Sequence, residues 1–257
     1  NIRYIRGAIM LRFYFIIVPA VIFNIYYIPL MWYLGKHPDK YSEQTRYKVA
    51  RRLIRLIKRR GRITTISTGK EFLPKDGGYV MYSNHQGKYD MIGIVANHDK
   101  PCTFVIDKET TKKIVPKLYT KLVKGKKLDK KDPRQQVESI YQIIKEVGEG
   151  RRFLIFPEGG YGDNKNNLLE FHPGSFKIPA KSECPIIPIA IYDSYKPFTI
   201  NSLRRVTTQV HYLEPIFYEQ YAGMSTREIC ELVYERISNK ITEIEDGKMY
   251  IETKKAV

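Results

Sequence analysis

The chain has 257 residues, enough for one domain with a sizeable core plus an appendage, and 44 Lys and Arg against 27 Asp and Glu leave a net charge of +17. That excess, with a pI near 9.6, points to an anionic partner, either nucleic acid or an acidic membrane. Cys102, Cys184 and Cys230 are odd in number and widely spaced, which argues against a disulfide framework; buried reduced thiols of a cytosolic domain are expected, and neither a metal site nor a cofactor is indicated.

From Phe13 to Leu34 the chain is almost wholly apolar, interrupted by Asn24, Pro19 and Pro29. A helix of that length can cross a hydrocarbon core of about 30 Å. The prolines leave a kinked, half-immersed helix as the alternative. No small-residue cleavage site follows, so the run is not read as a cleavable signal. Arg3, Arg6 and Arg12 flank it on one side, Lys36 and Lys40 on the other.

Tyr41 to Arg62 predicts a basic amphipathic helix. Val49, Leu53, Ile54, Leu56 and Ile57 supply apolar residues, and Arg46, Arg51, Arg52, Arg55, Arg59 and Arg60 belong to its basic set. Beside an apolar segment this reads as a helix lying on an anionic lipid surface, closed by Gly61. Residues 1–60 are therefore expected as a two-helix membrane module at the cell membrane, and 61–257 as an α/β domain on its cytoplasmic face. With the charge gathered next to an apolar helix and no RNA-type aromatic motif, nucleic acid is not expected as a partner.

Beyond residue 61, short β-type runs alternate with helical patterns. Strands are expected at Arg62–Ser67, Tyr79–Ser83, Thr103–Ile106, Phe153–Phe156, Ile186–Ile191 and Val206–Leu213. Helices are expected at Lys88–Asn97, Thr110–Val123, Pro133–Gly148, Ser175–Ala180 and Thr226–Ile244, the last opened by a Ser225–Glu228 capping box. Such alternation argues for an α/β sheet with ligands bound beyond the strand C-termini.

Two such ends carry the chemistry. Asn84-His85-Gln86-Gly87-Lys88-Tyr89-Asp90 follows the first apolar run, and a carboxylate can fix the tautomer and orientation of a histidine general base. Five helical residues turn through about 500°, so the pair would point about 140° apart on one helix. They meet only if His85 lies in a loop and Asp90 in or near the following helix, with Gly87 giving slack. The second is Phe153-Leu154-Ile155-Phe156-Pro157-Glu158-Gly159-Gly160, a strand running out through a carboxylate into two glycines. His98, His172 and His211 are expected to be structural, and His37 lies in the Gly35–Asp39 turn.

In this order the two stretches resemble the signatures N-H-x4-D and F-P-E-G-T-R-S of the glycerolipid acyltransferase family, most of all its bacterial 1-acyl-glycerol-3-phosphate acyltransferases. Phe104–Glu109 resembles the family's F-V-A-K-x-E block, Leu128-Asp129-Lys130 its V-D-R, Phe171–Phe176 its F-x-x-G-A-F and Ile186–Ala190 its V-P-V block. Two departures stand out. Gly160 and Tyr161 replace the threonine and arginine of the third block, and a tyrosine lacks the cationic fork that holds an acceptor phosphate. Lys130 replaces the V-D-R arginine.

The resemblance implies an α/β acyltransferase domain with a mixed sheet flanked by helices. It implies a fatty acyl chain moving from acyl-CoA or acyl carrier protein to a lysophospholipid hydroxyl, 1-acyl-glycerol-3-phosphate above all. His85 is then the general base and Asp90 its orienting partner. Backbone amides near the first motif are candidate oxyanion donors. Glu158 and Gly159 shape the acceptor site, with Lys108 and Lys130, or else Lys177 and Arg134, holding the phosphate. Two alternatives follow from the eroded third block: a different lysophospholipid acceptor, or a catalytically idle lipid binder.

Overall fold

The computed structural model describes residues 25–200 and 202–255, together with Tyr14, Val18 and Ile22. Most of the apolar run from Phe13, with Arg3, Arg6 and Arg12, therefore lies outside the described residues. What is described of that run continues into helix α1 (Tyr27–Lys36). Pro29 sits in its first turn, where the missing N–H has no helical acceptor to lose. Among the described residues no helix is long and apolar enough to cross a membrane.

Helix α2 (Glu43–Arg60) is capped by Ser42, whose hydroxyl accepts from the Thr45 N–H. Its apolar face does not point outward as the sequence suggests. Leu53, Ile54 and Ile57 are buried in the core on one face of the sheet. Two of its cations are interior as well. Arg46 donates to Leu122 O at 2.9 Å, and Arg51 donates to Ala96 O while pairing with Asp99. Both satisfy carbonyls at or beside the C-terminal ends of other helices, a placement that suits a positive charge. Gly61 follows the helix with φ −71°, and the left-handed residue is Arg62 at 52°. Glycine is needed at 61 for space, since a Cβ would stand 2.8 Å from Ile63 Cδ1 and 3.0 Å from Ile57 O.

A seven-stranded sheet follows, comprising β1 (Ile63–Thr68), β2 (Tyr79–Ser83), β3 (Thr103–Asp107), β4 (Lys126–Leu128), β5 (Arg152–Ile155), β6 (Ile186–Tyr192) and β7 (Val206–Tyr212). Their spatial order is β1-β7-β6-β2-β5-β3-β4. Only β6 and β7 pair antiparallel, so the sheet is mixed, with β6, β2, β5, β3 and β4 running one way. Each expected strand is present within a residue or two, and β4 is additional. The helices beyond β1 are α3 (Asp90–Asn97), α4 (Ile114–Leu122), α5 (Pro133–Gly148), α6 (Lys177–Ser182), α7 (Lys196–Thr199) and α8 (Thr226–Lys255). Asp132 caps α5, with Pro133 at the start of the first turn. The Ser225–Glu228 capping box opens α8.

Alternation along β2 sets the two layers. Tyr79 and Met81 enter the core shared with α1 to α4, while Val80 and Tyr82 enter the one shared with α5, α6 and α8. Strand β2 is buried along its whole length, as a central parallel strand covered on both faces must be. The three cysteines are free and buried.

Candidate active site

Strands β2 and β5 are parallel neighbours, with Tyr82 opposite Ile155. The chain therefore leaves both strands at the same edge of the sheet, which brings the His85 turn and the Glu158 turn side by side. Sheet topology alone unites two segments far apart in sequence.

His85 lies in the loop and Asp90 begins α3, two residues later than the expected helix start. Asp90 Oδ2 stands 2.6 Å from His85 Nδ1 and also accepts the N–H groups of Gln86 at 2.5 Å and Gly87 at 2.8 Å. A carboxylate oxygen here can only accept, so Nδ1 carries the proton and Nε2 keeps its lone pair. Asp90 thus closes the turn as well as orienting the ring, which is why α3 cannot begin earlier. Gly87, expected to give slack, is not among the positive-φ glycines; its visible contribution is that N–H.

Glu158 approaches the same turn from behind. Its Oε1 accepts the His85 N–H at 3.2 Å, and its other oxygen is buried with no partner within hydrogen-bond geometry among the described residues. Burial drives this carboxyl up to about 8, against the opposing pull of the His85 and Leu169 amides. The N–H groups of His85, Gln86 and Gly87 are therefore all taken by carboxylates. These three are thus not free among the amides near the first motif that were expected as candidate oxyanion donors.

The His85 ring is held between two aromatic side chains. Phe156 stacks on it at 4.3 Å between centroids, and Tyr161 meets it edge-on at 4.5 Å. A polar web then ties the loop to the end of β6. Asn84 exchanges two hydrogen bonds with the Ile191 backbone, Gln86 bridges Ile191 O and the Ser194 N–H, and Asn164 donates to His85 O. No sequence signal singled out Gln86 or Asn164.

His85 opens onto a cavity of about 1200 Å³ with mostly apolar walls, running past Met31, Ile54, Phe104, Leu118 and Ile143. Gly159, Gly160, Tyr161 and Lys130 line it beside His85. Gly159 needs its missing side chain, at φ 67° and with His172 Cδ2 3.2 Å from where a Cβ would be. Lys130 Nζ would be 3.8 Å from a Cβ on Gly160 and lies 3.4 Å from Asp107 Oδ2. Lys108 is not part of the lining; it pairs with Asp129 at 2.9 Å. Lys177 and Arg134 are likewise outside it.

The other histidines divide. His98 and His211 are buried, each lowered to about 4 by desolvation, and are structural as expected. His172 instead lines the cavity next to Gly159. Its place in the Phe171–Phe176 block was the available signal.

A family model described as acyltransferase matches residues 65–192, which marks that stretch as an acyltransferase domain. Human 1-acyl-sn-glycerol-3-phosphate acyltransferase alpha is 26% identical over 152 residues, covering 58% of this chain and 53% of that protein. The probable 1-acyl-sn-glycerol-3-phosphate acyltransferase of Mycoplasma pneumoniae is 26% identical over 162 residues, 61% of this chain and 60% of the relative. The chain thus spans little more than half the length of these curated relatives. In fold it matches the crystal structure of the 1-acyl-sn-glycerophosphate (LPA) acyltransferase PlsC from Thermotoga maritima, with a TM-score of 0.69 and 21% identity over 92% of this chain and 95% of the other.

Proposed function

We propose that the protein is a membrane-bound 1-acylglycerol-3-phosphate O-acyltransferase. It moves a fatty acyl chain from the thioester of acyl-CoA or acyl carrier protein to the free hydroxyl of 1-acyl-glycerol-3-phosphate, giving phosphatidic acid. One observation carries the reading: a His–Asp pair at 2.6 Å opens onto an apolar cavity of about 1200 Å³. That exceeds the ~300–1,000 Å³ of ordinary small-ligand clefts and suits lipid chains.

In this reading His85 Nε2 takes the proton of the acceptor hydroxyl as its oxygen attacks the thioester carbonyl. Asp90 stabilises the imidazolium. As the tetrahedral intermediate collapses, the C–S bond breaks and the imidazolium returns its proton to the departing thiolate. Among the described residues no serine or cysteine is hydrogen-bonded to His85, which favours direct transfer over an acyl-enzyme.

Lys130 is the cation of choice for the acceptor phosphate, because it lines the cavity next to Gly160. Gly159 and Gly160 give the headgroup close access to backbone. Glu158 then acts from behind, holding the His85 loop, and Lys108 acts at most through Asp129. Tyr161 favours a second reading on the same chemistry, an acceptor without a phosphate monoester, since the side chain beside His85 is neutral. The intact His85–Asp90 geometry argues against an idle lipid binder.

The test is acceptor kinetics with the purified full chain and acyl-CoA, reading thiol release and product mass. Lysophosphatidate should be used better than a lysolipid with a diester headgroup. Preference for the diester would select the second reading, and no acyl transfer to any lysolipid would remove both.

A further inference from the structure

The cavity at His85 reaches both faces of the sheet. Neighbouring residues of a strand point to opposite faces, yet Phe104 and Val105 both line it, as do Ile155 and Phe156. Phe104 and Phe156 pack in the core shared with α1 to α4, Val105 and Ile155 in the one shared with α5, α6 and α8. The space therefore passes around the ends of β3 and β5, where Asp107 and Pro157 also line it. It has two apolar arms, one on each face.

The arms differ in enclosure. The first runs among Met31, Leu53, Ile54, Leu118 and Tyr119, all buried. The second is a groove walled by α5 and by the stretch from His172 into α6. Ile143, Ile155 and Ile178 form its buried floor, Val105 and Ile140 its half-buried sides, and His172 and Gly174 its exposed lip. That lip adjoins the glycine turn. A Cβ on Gly159 would lie 3.2 Å from His172 Cδ2, and one on Gly160 would lie 3.8 Å from Lys130 Nζ. The groove thus begins beside the place proposed for the acceptor's phosphate, which gives His172 a reason to face the cavity.

We infer that this groove holds the fatty chain that the acceptor already carries, leaving the buried arm to the chain being transferred. Headgroup, glycerol and chain of a lysophospholipid are one covalent unit, so its chain takes the arm that starts at Gly159 and Lys130. The amide-bearing arm of a thioester donor does not suit the groove. Its amides need hydrogen-bond partners, and the floor offers only isoleucine side chains. The protein then reads the two chains separately, each on its own face of the sheet. The inference rests on the proposed acyl transfer to a lysophospholipid.

The experiment uses the full chain with decanoyl- and palmitoyl-CoA and with decanoyl and palmitoyl lysophosphatidate, in every combination. Ratios are taken relative to the parent, so that partitioning of the lipids into micelles cancels. Gly174→Phe places a ring at the lip, where a Cβ meets nothing within 4 Å, and Ile140→Trp fills the groove from α5. Each should lower kcat/KM for the palmitoyl acceptor against the decanoyl one roughly tenfold, the equivalent of about two methylenes kept out of the groove. The ratio between the two donors should stay as in the parent. Leu118→Phe, in the buried arm, should do the reverse. Groove variants that melt like the parent yet move the donor ratio instead, or move neither ratio, would overturn the inference. A parent that transfers acyl groups to no lysolipid would remove the acyl-transfer reading. The groove would then stand or fall by direct binding, in which Gly174→Phe should weaken the palmitoyl lysolipid and leave the decanoyl one unaffected.

Discussion

The turn after β2 and the turn after β5 leave neighbouring strands at the same edge of the sheet, yet they are built on opposite principles. The first is over-determined. His85, Gln86 and Gly87 give their N–H groups to two buried carboxyl groups, Asn84 and Gln86 bind the loop to the end of β6 and the segment after it, and Asn164 donates to His85 O. The second turn runs from Glu158 into Gly159 and Gly160 and ends on a half-exposed Tyr161. A general base must hold its geometry closely, whereas a headgroup site can be retuned by single side chains on an open turn. The chain keeps the family's residues in the rigid turn and departs from them in the open one. In the proposed reading, that division lets the acceptor site vary without disturbing the base.

Striking the rigid turn should have the largest effect. His85→Ala should cut turnover by on the order of 10³-fold or more, a loss far larger than any accompanying drop in Tm, because in the proposed reading the ring takes the acceptor proton. Asp90→Asn should be as severe for turnover and should also lower Tm, since Asp90 Oδ2 closes the loop through Gln86 and Gly87. Near-normal rates in either variant would dissolve the contrast between the turns.

Changes in the open turn should act on the acceptor alone. Lys130→Ala should raise the apparent KM for lysophosphatidate, with little change for the donor. A charge-assisted phosphate contact of ~1.5–3 kcal/mol corresponds to roughly a tenfold to hundredfold effect. Lys108→Ala should be mild, because its ammonium is paired with Asp129 outside the cavity. Tyr161→Arg should shift preference toward lysophosphatidate by a smaller factor. If all three leave the KM ratio between lysophosphatidate and a diester lysolipid unchanged, the open turn does not read the headgroup.

Much of this was legible because local rules and the fold agree. Strand β2 is bounded where its apolar run begins and ends, and α5 where Pro133 and the Asp132 cap put it. Strand β4 was not legible, since Lys126-Lys127-Leu128 is a short edge strand with no apolar face to announce it. Helix α8 runs to Lys255, past Ile241, the last buried apolar residue before the polar stretch that broke the pattern. The orientation of α2 was misread for a different reason. A basic amphipathic stripe fits a membrane surface or a protein core equally well, and only tertiary packing sends Leu53, Ile54 and Ile57 inward. In the site, spacing permitted the His–Asp pairing only with His85 in a loop, and the second motif and the resemblance to the acyltransferase signatures selected it. The clamp of Asn84 on Ile191 spans 107 positions and leaves no local trace.

The smallest effect expected on activity comes from Glu158, and its signature is in stability. The carboxyl is raised from 4.5 to about 8 by burial, so the folded protein holds a proton that the unfolded chain releases. Between those values the unfolded state binds fewer protons, and stability falls as pH rises. Any stabilising contribution is complete below the unfolded value and lost as pH climbs through about 8. Glu158→Gln keeps an oxygen to accept the His85 N–H and cannot ionise, so it escapes this loss. The variant should match the parent near pH 4.5 and melt above it near pH 8, with each kcal/mol worth about 2–4 °C for a domain of this size. Turnover should stay within a few-fold, and activity should decline less steeply on the alkaline side than in the parent. A side chain that touched the acceptor as an anion would behave otherwise: Glu158→Gln would raise acceptor KM at every pH and leave the pH dependence of Tm as it was. That outcome would move Glu158 out of the rigid turn and into the open one.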